Sequence, residues 1–142
     1  PPARSIVDPC CGTGTIVLEG LALGLDVQAG DVNARMVGMT RENAAHFGHA
    51  VEPHEGDAAA WGVEADAVVT NLPYGHNLEA DEANVRAILH AGRRMAPVGV
   101  YVTPHDLTAT LLDVGYEHVK VLRHPKHTGF RAGLVRLVHL AT

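Results

Sequence analysis

The chain has 142 residues and a formal net charge of −5; 46% of it is hydrophobic and 19% charged, with a mean hydropathy of +0.05. Length and balance describe one folded domain with a buried core and exclude a disordered chain, while two cysteines exclude a disulfide scaffold. A uniformly basic nucleic-acid binder is also excluded: residues 1–117 set six arginines against all 16 acids, for a net −10, whereas 118–142 carry Lys120, Arg123, Lys126, Arg131 and Arg136 and no acid. That tail reads either as a local basic edge or as an ordinary solvated face. No apolar run approaches the ~20 residues of a membrane helix, and no export signal opens the chain. Cys10 and Cys11 are adjacent and poorly placed to bridge each other, so a reducing, cytoplasmic setting is expected.

Strand-like and helix-like segments alternate. Residues 5–9 form a short apolar run ending in Asp8-Pro9, read as a buried strand. Residues 14–23 carry Ile16, Val17, Leu18, Leu21 and Leu23 at helical spacing and stop at Gly24. A second strand covers 27–30 and is closed by Asp31. Asn33 is a good N-cap for a helix to about His46, ended by Gly48. Residues 51–55 read as a third strand weakened by Pro53, and 66–70 as a fourth, stopped by Asn71-Leu72-Pro73-Tyr74-Gly75. Residues 78–95 are helical, with Val85, Ile88 and Leu89 inward. Residues 98–102 make a fifth strand, 105–114 a short helix, and 116–122 and 134–140 two more strands. Five strand–helix units predict a parallel α/β sheet covered on both faces, and the final pair of strands, without a full helix between them, predicts an antiparallel edge.

Asp8-Pro9-Cys10-Cys11-Gly12-Thr13-Gly14-Thr15 joins the first strand to the first helix. Glycines spaced G-x-G allow a tight turn and a close backbone approach to a ligand. The third glycine of the dinucleotide fingerprint is replaced by Val17, and no Lys-Ser/Thr follows, so neither that fingerprint nor a Walker loop is complete. Asp8 at the strand end would repel a pyrophosphate and attract an ammonium. S-adenosylmethionine, with an ammonium, a sulfonium and one carboxylate, fits that charge pattern better than a nicotinamide dinucleotide. A helix-capping role is the alternative for Asp8.

Asp31 lies 19 residues after Gly12, close to the ≈ 20 typical of a carboxylate on ribose hydroxyls. Asp57, in Gly56-Asp57-Ala58, could accept from an adenine amine with the Ala58 N–H donating to the ring, or could simply cap a turn. Asn71-Leu72-Pro73-Tyr74 falls at the carboxyl edge of the fourth strand. There the Asn71 oxygen and a backbone carbonyl of the same turn could accept both N–H bonds of an exocyclic amine and leave its lone pair aimed at a methyl group. Pro73 stiffens that turn, and Tyr74 offers a face on which a base can stack. The i, i+3 pairs His46/His49 and His124/His127 lack further ligands, so no metal site is expected. Cys10 and Cys11 read as small residues packed under the turn; His76, Asn77 and Phe130 could touch a substrate or fill a loop or core gap.

These motifs resemble the THUMP-associated RNA guanine-N2 methyltransferases, several of which modify tRNA. The resemblance runs through the glycine loop, Gly30-Asp31-Val32-Asn33, Gly56-Asp57-Ala58, Asn71-Leu72-Pro73-Tyr74-Gly75 and the closing strand, basic loop and strand. It implies a Rossmann-like class I methyltransferase fold: a seven-stranded, mostly parallel sheet with an antiparallel C-terminal edge strand and helices on both faces. It implies S-adenosylmethionine held by Asp8, Cys10, Gly12 and Gly14 (methionine part), Asp31 and Val32 (ribose), Asp57 and Ala58 (adenine), with Asn71 at the methyl group. Asn71, the Leu72 carbonyl, Pro73 and Tyr74 would present the amine, and Lys120, Arg123, Lys126 and Arg131 would lie near RNA. The family's N-terminal THUMP domain has no counterpart here, so the chain is expected to be a catalytic domain that relies on RNA docking elsewhere. Methylation of a DNA adenine or a protein glutamine shares the same amine geometry, and a non-catalytic module serving a partner chain is the reading from another class.

Overall fold

The computed structural model describes residues 2–74, 78–125 and 135–142. The chain runs β1 (Ser5–Asp8), α1 (Thr15–Ala22), β2 (Asp26–Asp31), α2 (Ala34–His46), β3 (His54–Glu55), a 3₁₀ turn (Ala58–Ala60), β4 (Ala67–Asn71), α3 (Leu78–Met95), β5 (Val98–Thr103), α4 (Thr108–Asp113), β6 (Val119–Pro125) and β7 (Val135–Ala141). The seven strands form one sheet in the order β3-β2-β1-β4-β5-β7-β6. The first five are parallel. β7 runs antiparallel between β5 and β6, so the β6–β7 hairpin makes the antiparallel edge region and β6 is its outermost strand. This is the class I methyltransferase arrangement. Strand order reverses between β1 and β4, and the crevice above their carboxyl ends is where such sheets take ligands.

Alternation along each strand builds two cores. On β1, Ile6 faces a cluster with Val17, Val27 and Ala29, while Val7 faces Val68, Ile88, Leu89 and Leu111. The helix over 78–95 appears at its expected limits because Val85, Ile88 and Leu89 recur on one face. The α2 cap is as expected: the Asn33 side chain accepts from the Arg35 N–H at 2.9 Å.

Three elements start later than the sequence suggested. β3 keeps two residues, since Pro53 has no N–H for a ladder. α4 starts at Thr108 rather than 105, because Asp106 Oδ1 accepts from both the Thr108 N–H and hydroxyl and shapes a turn first. β6 begins at Val119, because the Glu117 and His118 N–H groups both donate to the Thr142 carbonyl. Among the described residues no helix is long and apolar enough to cross a membrane.

The fully buried Tyr101 ring fixes the spacing of α3 against the sheet, with its hydroxyl 2.7 Å from that of Tyr116. Gly92 on α3 sits against that hydroxyl with no room for a Cβ. Gly92→Ala is expected to destabilise the fold by about 1–2 kcal/mol, overpacking outweighing the gain in helix propensity. Tyr101→Phe should recover part of that loss in the double variant, as read by denaturant unfolding.

Candidate functional site

The loop after β1 is fastened from two sides. The Cys11 N–H donates to the Gly30 carbonyl at 2.8 Å and the Gly12 N–H to Asp31 Oδ2 at 2.9 Å, tying it to the end of β2. From α2, the Thr40 hydroxyl donates to the Gly12 carbonyl and the Asn43 amide to the Thr13 carbonyl, each at 2.8 Å. Gly12 and Gly14 have φ of +55° and +93°, and a Cβ on Gly14 would meet the Thr40 hydroxyl at 3.0 Å. Both positions therefore require glycine. Gly14 is the N-cap of α1 and makes no side-chain bond, so the first N–H groups of that helix are left for a ligand or water. The alternative role of Asp8 as a helix cap is excluded: no side chain caps α1.

Asp8 is buried, at 1% exposure. Its Oδ1 accepts from the Thr70 hydroxyl at 2.6 Å and the Cys10 N–H at 3.2 Å, and it forms no ion pair among the described residues. Burial pushes its carboxyl up to about 6; the bonds from Thr70 and Cys10 pull the other way, and the Asp31 carboxylate adds to the rise. Burial likewise raises the Cys10 thiol to about 12 and the Cys11 thiol to about 11, so both remain protonated and packed rather than reactive.

Two clefts open over the carboxyl edge. One, of about 700 Å³, is lined by Asp8, Gly12, Thr15, Asn71 and Arg136 among others. The other, of about 190 Å³, is lined by Asp31, Val32, Asp57, Ala58 and Ile88 among others. Cys10, Asp31 and Pro73 wall both, so the two meet above β1 and β4. Asp31 bonds the Gly12 and Asn33 N–H groups through its two oxygens, and each oxygen keeps a lone pair. Asp57 caps the 3₁₀ turn by accepting from the Ala59 N–H at 2.8 Å, and Ala58, first in that turn, has an N–H with no acceptor within it.

Asn71 ends β4. With its carboxamide oriented to suit its surroundings, Nδ2 donates to the Val102 carbonyl at 3.2 Å and Oδ1 accepts from Arg136 Nη1 at 3.1 Å. The Leu72 N–H also donates to Val102, at 3.0 Å, and its side chain is buried, which fixes the turn carrying its carbonyl. The structure thus brings Asp8, Cys10, Gly12, Asp31, Val32, Asp57, Ala58, Asn71, Leu72 and Pro73 to one pair of clefts. Gly14 lies behind, as the helix cap.

Tyr74 is turned away from Asn71. It lines a separate cleft between α3 and α4, its ring 4.7 Å from that of His105 and its hydroxyl bonded to Thr103. Lys120 and Arg123 are both exposed but, an odd number of residues apart on β6, they face opposite sides of the sheet. Gly75, His76, Asn77, Lys126, His127, Phe130 and Arg131 lie outside the described residues. Sequence reasoning missed Thr70, Thr40 and above all Arg136, whose signal was a single guanidinium inside the apolar strand Val135–Ala141.

Known proteins share this architecture. The chain aligns with PH1948 from Pyrococcus horikoshii over 97% of its length and 73% of that protein, at TM-score 0.77 and 17% identity. TrmN from Thermus thermophilus aligns over 99% of this chain and 44% of that one, at TM-score 0.72 and 23% identity. In sequence, an alignment 73 positions long is 42% identical to a curated tRNA (guanine(10)-N2)-dimethyltransferase of Methanothermobacter thermautotrophicus; it covers 49% of this chain and about a fifth (22%) of that relative's length. Residues 1–106 match the family described as RMKL-like, methyltransferase domain, and the chain belongs to that family.

Proposed function

We propose that this domain transfers a methyl group from S-adenosylmethionine to an exocyclic amine, and that the amine is the N2 of a guanosine in tRNA. The observation that carries the reading is the pairing, above the β1–β4 crevice, of a buried carboxylate with no cation among the described residues and a carboxamide lining the same cleft. The curated relative at 42% identity carries the same activity in its name and supports the choice of amine.

The residues suit the cofactor. Asp8 supplies the negative charge for its ammonium, and the free N–H groups at the start of α1 suit its carboxylate. Asp31 has lone pairs for ribose hydroxyls, Val32, 75% exposed, offers apolar surface to a ring, and Asp57 with the Ala58 N–H matches the amine and ring nitrogen of adenine. When bound, the cofactor supplies an electrophilic methyl group on a positively charged sulfur. Asn71 Oδ1 and the Leu72 carbonyl would accept the two N–H bonds of the target amine and draw its nitrogen toward a tetrahedral shape, with the lone pair directed into the cleft. Their acceptor geometry is set before substrate arrives, because β4 and the Val102 carbonyl hold both.

The test is transfer of labelled methyl from S-adenosylmethionine to unmodified tRNA, followed by digestion to nucleosides. Label in N2-methylguanosine is the expected result; label in DNA adenine or in protein, or none anywhere with cofactor bound, would overturn it. Asn71→Ala is expected to lose methyl transfer by at least about a hundredfold, with the cofactor dissociation constant changed less than about threefold.

Asp8 gives a second prediction. Its folded pKa of about 6 lies above the ordinary 3.8, so the folded chain holds this proton more tightly than the unfolded one. That stabilisation is complete below pH 3.8 and is lost as pH rises through about 6. Asp8→Asn should therefore be more stable than the parent at pH 8, by about 3 kcal/mol at most, with the advantage vanishing near pH 4 in thermal denaturation. Calorimetry should show the parent's cofactor affinity weakening below about pH 6, and the variant's weak and flat with pH.

A further inference from the structure

We infer that Arg136 is a positioning residue for the target amine, acting by fixing which end of the Asn71 carboxamide faces the cleft; the inference rests on the amine-transfer reading above. Asn71 on β4 is in register with Val102 on β5, and Val102 with Val138 on β7. Arg136 lies two residues further toward the carboxyl edge of the parallel strands, on the same face as Val138. It is half-buried, and its Nη1 reaches across β5 to Asn71 Oδ1 at 3.1 Å.

The two ends of a carboxamide have nearly the same shape and opposite hydrogen-bonding character. The Val102 carbonyl can only accept, and it already takes the Leu72 N–H at 3.0 Å. The guanidinium can only donate. Together they admit one orientation, Nδ2 toward Val102 and Oδ1 toward Arg136 and the cleft. Turned over, the amide would set its N–H against the guanidinium, its oxygen against a carbonyl, and a donor against the N–H of the incoming amine. In the orientation these two partners admit, Oδ1 keeps a second lone pair for that amine. Without Arg136, only a carbonyl already shared with Leu72 would resist the flip.

Other duties for this cation make different predictions. A contact to an RNA phosphate would act on substrate affinity and its salt dependence, and a contact to the cofactor carboxylate on cofactor affinity. Arg136→Met and Arg136→Lys in the full chain separate them. In the Met variant the side-chain amide resonances of Asn71 (assigned through Asn71→Ala) should shift and broaden. Its kcat should fall by about tenfold or more, with KM for RNA and the cofactor dissociation constant changed less than about threefold. Lysine, which keeps one charged donor, should recover part of kcat. Unmoved Asn71 resonances overturn the inference. So does unchanged kcat with a raised KM and a flatter salt dependence, or loss of cofactor binding alone. If the parent transfers no methyl group to RNA, the proposed function fails, while the resonances still decide whether Arg136 orients Asn71.

Discussion

One hydrogen bond crosses the point on which the site depends. The Thr70 hydroxyl donates to Asp8 at 2.6 Å, joining the carboxyl ends of β1 and β4 where strand order reverses. It holds a carboxylate in place that burial would otherwise neutralise, and the Asp31 carboxylate nearby makes the charged form costlier still. A charge kept at such cost, with no cation beside it among the described residues, suits the cation-holding role proposed for it. The chain gives up stability to keep that anion, and the fastening of the glycine loop from β2 and α2 keeps the arrangement from relaxing away.

Asp31 and Asp57 show how a structural role leaves room for a ligand. Asp57 was open to two readings and Asp31 to one, yet each does structural work: Asp31 ties the Gly12 and Asn33 N–H groups, and Asp57 caps a turn. A carboxylate has about four acceptor positions, so neither is exhausted by one or two backbone bonds. The bonds instead aim the remaining lone pairs. A carboxylate immobilised by its own backbone loses little side-chain freedom on meeting a ligand, which favours binding.

What could be read from the sequence was local. Glycine spacing, the Asn33 cap, the Gly12–Asp31 separation and the apolar face of α3 act within one turn or one strand–helix unit, and the structure has each where it was expected. What escaped depends on how distant strands pair. The insertion of β7 between β5 and β6 brings Arg136 to Asn71 across 65 positions of sequence, and no local pattern encodes that. The basic tail looked like one patch, yet the parity of β6 divides Lys120 from Arg123. Tyr74 looked like a partner of Asn71 by adjacency, but successive residues of an extended turn diverge, and the Thr103 hydroxyl and the His105 ring claim its side chain.

The identity of residue 71 follows from its neighbours. A carboxylate there would be the stronger acceptor for an amine, but beside Arg136 it would close into an ion pair, and its second oxygen would face the Val102 carbonyl without a proton between them. A hydroxyl could not reach both partners. The carboxamide alone can donate to the backbone on one side and accept on the other while leaving a neutral lone pair in the cleft. Neutrality matters there, because the buried Asp8 already supplies the negative charge. A further anion at position 71, added to Asp8 and Asp31 on the same cleft, would raise the carboxyl pKa values and favour a protonated, donor-bearing acid in place of an acceptor. On the proposed reading the cleft divides its labour: charge on β1 for a cation, and neutral acceptors on β4, oriented from β7, for an amine.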